Sequence, residues 1–159
     1  MAPVLPGKDL RHLNQILIAI FKQGKGAEMT AKFLYGVLAY VVPLFPLAYL
    51  WHLRLFKAVY DRLDLFRAEV IVPFGLLSMV LQGLFFSWVF PKLFAGSNWV
   101  MNGLQFALVF GLLGWSFMVL PVAAKYKMTS VAGFMAIETA FIALQFLITG
   151  LLLAFVYRS

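Results

Sequence analysis

The chain has no cysteine among its 159 residues. Thiolate catalysis, disulfide relay and thiolate metal centres are excluded within it. Histidine is nearly as scarce. His12 and His52 are the only two, and the helical reading below puts them on opposite membrane sides. That excludes a bis-histidine haem, so neither a metal site nor a cofactor is expected. Charged residues make up 12% of the sequence, too few to cover a water-soluble domain of this length. No HExxH, phosphate-cradling glycine loop or nucleophile elbow occurs, which argues against most hydrolases and NTPases.

What is abundant is apolar. Hydrophobic residues are 64% of the chain and the mean hydropathy is +0.93, outside the soluble range. Four apolar runs stand out at 33–51, 68–90, 99–124 and 131–157. Each is long enough to cross ~30 Å of hydrocarbon at ~1.5 Å per residue. Tyr49, Trp51, Trp88, Trp99, Tyr126 and Tyr157 mark their ends, as interfacial aromatics do. Ser97-Asn98 and Thr129-Ser130 are good N-caps for the third and fourth runs. Short connections make successive helices antiparallel neighbours. The fold class is therefore all-α: an integral membrane four-helix bundle over 31–159, preceded by a basic amphipathic segment over 1–30.

Within that segment, residues 8–23 place Leu10, Leu13, Leu17, Ile20 and Phe21 on one helical stripe. An interfacial helix is expected there, stopped by Gly24 and Gly26. The first long apolar run begins too far in for a secretory signal, and the chain is read as mature from Met1. The net charge of +7 comes largely from Lys and Arg flanking the apolar runs. Such residues face lipid headgroups. No aromatic-basic platform accompanies them, so nucleic acid is not an expected partner. The lipid bilayer is, together with other membrane subunits or a second copy of the chain. Positive charge nearly balances between the two sides, which leaves orientation open; the basic tail favours a cytoplasmic N-terminus.

Pro43, Pro46, Pro73 and Pro121 lie inside apolar runs and predict kinks. Small residues at spacing four, Gly103-Ala107-Gly111 and Ala132-Ala136-Ala140, predict close helix contacts. Gly36 and Pro46 in the first run are echoed by Gly111 and Pro121 in the third, and Gly83 in the second by Gly150 in the fourth. The pattern suggests two repeats of two helices.

Ionisable and amide side chains inside a span are functional candidates. Glu138, Gln145 and Thr149 share one helical face of the fourth run. Ser78 and Gln82 share one in the second, and Gln105 lies near the start of the third. All six are expected to be buried. Helix direction places His52, Arg54, Arg67, Glu69 and Lys125 at the same end as Glu138, where they could converge on it. A structural role is the stronger expectation, with Glu138 paired to Arg or Lys, or neutral and hydrogen-bonded to Gln.

Two resemblances add to this. The stretch Phe45-Pro46-Leu47-Ala48, Trp51-His52, Phe56, Tyr60, Arg67-Ala68-Glu69, Pro73-Phe74-Gly75-Leu76 and Gln82-Gly83 resembles a group of small bacterial four-span proteins. It implies a bacterial inner membrane location and no particular activity. Arg62, Glu69, Pro73 and Phe74 are spaced like the motif that opens the second helix of the MAPEG family, membrane enzymes of glutathione and eicosanoid metabolism. That resemblance implies glutathione binding by Arg62 and Glu69, although Phe66 stands where that family has asparagine. Three functions follow as expectations. The foremost is a non-enzymatic accessory or structural subunit of a larger membrane complex. The others are a small proton-linked transporter using Glu138 and the Gln/Thr seam, and a MAPEG-like glutathione-dependent enzyme.

Overall fold

The computed structural model describes the backbone of residues 7–158 except Ala68, and the side chains of Gln15, Gly24 and residues from Gly26 onward. Helix is the one kind of regular secondary structure among the described residues, with no strand. α1 spans Gly7–Leu50 and runs into a π-helical turn at Trp51–Leu55. α2 spans Lys57–Leu63, α3 Val72–Leu93, α4 Trp99–Lys125 and α5 Val131–Tyr157. Four helices are long and apolar enough to cross a membrane. The chain is an integral membrane protein of bundle type.

The capped ends fall where local chemistry puts them. Asn98 accepts from the Met101 amide at 3.1 Å, and Ser130 accepts from the Gly133 amide at 3.1 Å. Each satisfies a backbone donor left free by the first turn. The expected break at Gly24 and Gly26 is absent, and α1 continues through both. Glycine lowers helix stability without clashing. The next turn is reinforced by the Lys32–Glu28 pair at 3.0 Å and by Thr30 bonding the Gly26 carbonyl. The amphipathic stripe of residues 8–23, and His12 with it, lie outside the described side chains.

Pro73 is not a kink. α3 begins at Val72 rather than at residue 68, with Pro73 in its first turn, where the missing N–H has no intrahelical partner to lose. α1 and α4 continue through Pro43, Pro46 and Pro121.

α4 packs most extensively on α5, and α1 packs against both α3 and α5. Each sequential hairpin closes on glycine. Gly83 of α3 faces Val37, Tyr40 and Val41 of α1, while Gly150 of α5 faces Gly103 and Ala107 of α4. Gly103, Ala107 and Gly111 thus face α5 as expected. Ala132, Ala136 and Ala140 do not face α4; all three are exposed, and α5 meets α4 through Phe146 and Gly150 instead. α3 reaches α4 through phenylalanine rings. Phe86 meets Phe106 at 5.3 Å and Phe110 at 5.1 Å between centroids, both edge to face.

A labelling experiment tests this arrangement. Cysteines replacing Ser97 and Asp61, both exposed, should react from opposite sides of the membrane, because α3 lies between them. Reaction of both from one side would remove α3 as a span.

Candidate functional site

The end of the bundle that carries α2 is built by a change in backbone pitch. After Pro46, α1 passes into the π-turn, and the Phe56 amide donates to the Trp51 carbonyl five residues back, at 3.0 Å. Such turns re-aim side chains and recur at functional sites. Here His52 is turned inward and partly buried, and its Nδ1 lies 3.0 Å from the Ala48 carbonyl. A carbonyl only accepts, so Nδ1 carries a proton. The other nitrogen, Nε2, lies 3.4 Å from Glu138 Oε1 on α5.

The third member comes from α2, which packs against the π-turn and α5. α2 is pinned by the loop before α5. Thr129 donates its hydroxyl to the Arg62 carbonyl at 2.6 Å, and its amide bonds the Leu63 carbonyl. This holds Tyr60, 1% exposed, so that its hydroxyl donates to Glu138 Oε1 at 2.6 Å. Burial, and then the Glu138 carboxylate that accepts this hydrogen bond, push the Tyr60 phenol well above its ordinary range. Tyr60 is therefore a fixed donor, not a base.

Both side chains of the His52–Glu138 contact can carry charge, and at 3.4 Å it closes the cluster from the α1 side. Aromatic rings surround it. Phe141 meets the imidazole at 4.4 Å edge to face, and Tyr60 at 5.0 Å. Phe66 stacks on Tyr60 at 4.6 Å.

Two further polar groups lie deeper along the seam between α1, α3 and α5. Gln145 donates to the Tyr40 hydroxyl at 3.2 Å. Tyr40 donates to Gln82, and Gln82 donates to Ser78 at 2.9 Å. Nearer the opposite end, Ser87 donates to the Phe33 carbonyl at 2.6 Å, and the Tyr157 hydroxyl donates to the Ser87 carbonyl at 2.7 Å. Buried Phe141 and Ile142 lie on α5 between the Glu138 and Gln145 layers. At ~1.5 Å rise per residue those layers are ~10 Å apart along α5, too far for direct proton exchange.

The structure rearranges the expected site. Of the group predicted to converge on Glu138, only His52 reaches it. Arg54 turns back to the Tyr49 hydroxyl at 3.2 Å, while Arg67, Glu69 and Lys125 are exposed. Among the described residues no Lys or Arg pairs with Glu138, and Gln145 bonds Tyr40 instead. Gln145 and Thr149 are buried as expected, and Gln82 and Glu138 are partly buried. Ser78 and Gln105 are corrected: both are exposed. Arg62 is exposed and donates to the Ala58 carbonyl. Tyr40, Tyr60, Ser87 and Tyr157 escaped the sequence reading as polar partners. The available signal was chemical: a tyrosine in an apolar run must bury its hydroxyl with a partner or reach an interface. Tyr157, expected at the interface, turns inward to Ser87.

Two cavities flank the cluster. One of about 390 Å³ runs between α1 and the start of α3 and is almost wholly apolar. The other, of about 500 Å³, is lined by Lys57, Asp61 and Asp64 among others. His52, Leu53, Phe66, Arg67 and Val70 line both. No protein-family model, curated protein or solved structure matches the chain.

Proposed function

We propose that the protein is a non-enzymatic accessory subunit of a larger membrane complex, in a bacterial cytoplasmic membrane, that docks through the outer face of α4. One observation carries the reading. Gln105 is exposed on a spanning helix, and among the described residues its amide has no hydrogen-bond partner. It lies six residues beyond Trp99, ~9 Å into the span. Lipid offers an amide nothing to bond, whereas a neighbouring helix does. Met101, Gln105, Leu108 and Leu112 follow at spacings of four, three and four, and all are exposed. They form one continuous stripe for a partner helix.

The other readings have less support. A proton-linked transporter needs a path, and apolar core separates the titratable cluster from the Gln145 layer. A glutathione enzyme needs a polar group at position 66, and Phe66 is stacked on Tyr60.

Mild-detergent purification from native membranes, with Gln105→Leu in parallel, tests the proposal. The unaltered chain should retain a stoichiometric membrane partner. The variant should lose it, with less than about 0.5 kcal/mol change in its own stability, since no internal bond is removed. Recovery of the chain alone, or a variant that keeps its partner, would defeat it.

A further inference from the structure

The two cavities beside His52 differ in character and join. The groove between α1 and α3 has Phe45 and Met79 among its walls. Its rim residues Tyr49, Val70, Ile71, Val72 and Leu76 are exposed, so it opens on the outer surface where α1 and α3 cross the bilayer. Its size suits a small ligand or part of a larger one. At its end the lining turns polar. Arg67 belongs to both cavities, and Asp64 to the polar one alone. Asp64 caps α2 in a left-handed conformation with φ of 54°, which ends the helix there.

The charges at the mouth are unequally engaged. Lys57 and Asp61 close on each other at 2.6 Å, and Arg54 is turned to Tyr49. The side chains of Arg67 and Asp64 have no ion-pair or hydrogen-bond partner among the described residues, and they do not pair with each other although they line one cavity. An apolar groove open to lipid therefore leads to one free cation and then one free anion.

We propose that this groove binds one bilayer phospholipid with a zwitterionic phosphate–amine head. An acyl chain lies between α1 and α3, the phosphate meets Arg67, and the amine meets Asp64. The order of charges matches the order in the lipid, where phosphate is nearer the tails and amine farther out. Guanidinium is the better side chain for phosphate. An anionic head lacking the amine would leave Asp64 unanswered beside a second carboxylate, Asp61. This site lies on α1 and α3, apart from the α4 stripe proposed for docking, and stands or falls separately.

The test uses the full chain, purified and delipidated in detergent, with native mass spectrometry of added lipids. Phosphatidylethanolamine should bind one per chain, about tenfold more tightly than phosphatidylglycerol with the same acyl chains. Arg67→Gln should weaken that binding about tenfold. Asp64→Asn should bring the two lipids to similar affinity. Both positions are exposed, and unchanged melting temperatures confirm that the variants fold. Soluble phosphoethanolamine should not compete, because it cannot fill the groove. Equal affinity for the two lipids in the unaltered chain would overturn the proposal. So would binding indifferent to Arg67→Gln, or displacement by phosphoethanolamine.

Discussion

Gly150→Val should prevent the bundle from assembling. A Cβ at Gly150 would lie 2.2 Å from the Gly103 carbonyl oxygen and 3.3 Å from the Ala107 amide nitrogen. A Cβ at Gly103 would in turn lie 2.8 Å from the Gly150 oxygen. These are backbone atoms on both sides, so no side chain can swing away and the helices themselves must separate. Helices in lipid associate through such close packing rather than through a hydrophobic drive. The α4–α5 contact is the most extensive in the molecule. Overpacking a core costs typically 1–3 kcal/mol, and a backbone clash at this crossing should exceed about 3 kcal/mol. Thermal unfolding and gel filtration in detergent would show it as lost cooperativity and aggregation. Gly75→Ala is the control, since a Cβ there meets nothing within 4 Å. Its effect should stay within about 1 kcal/mol, in the stabilising direction expected for alanine in a helix. Equal stability of the two variants would show that α4 and α5 do not cross at these glycines.

Glu138→Leu should be the most damaging change at the titratable cluster. Leucine removes the acceptor of the Tyr60 hydroxyl, bonded at 2.6 Å, and the partner of His52 Nε2. The stranded hydroxyl alone costs about 1–3 kcal/mol, and losing the charged partner brings the expected total to about 3 kcal/mol. Glu138→Gln retains a carbonyl for Tyr60 and should cost about 1 kcal/mol, chiefly through the weakened contact with His52. The decisive measurement is a double-mutant cycle. Tyr60→Phe in the Glu138→Leu background should recover part of the loss, because no buried hydroxyl is then left unbonded. Additive effects of the two substitutions would mean that Tyr60 and Glu138 do not interact.

The sequence by itself determined the four spans and the starts of the last two. α4 and α5 begin at residues 99 and 131 as read from the chain. Their length is set by bilayer thickness and their starts by Asn98 and Ser130, whose caps reach only three residues along the backbone. It also marked Glu138 and Gln145 as groups that lipid could not satisfy. Tertiary structure decided which partners they met. Tyr60 is 78 residues from Glu138 and Tyr40 is 105 from Gln145, so neither pairing leaves a periodic trace along the chain. The same holds for the helix faces. The alanines at 132, 136 and 140 have the spacing of a contact stripe, yet they are exposed. α5 turns Phe146 and Gly150 toward α4, and Glu138 and Gln145 toward α1 and α2. A helix has one rotation to choose, and the contacts it makes with all its neighbours together set it. Burying Glu138 against Tyr60 and His52, and fitting Gly150 to Gly103, are met by a single rotation of α5. That rotation leaves the alanines outside and presents the acid to His52 rather than to a lysine or arginine.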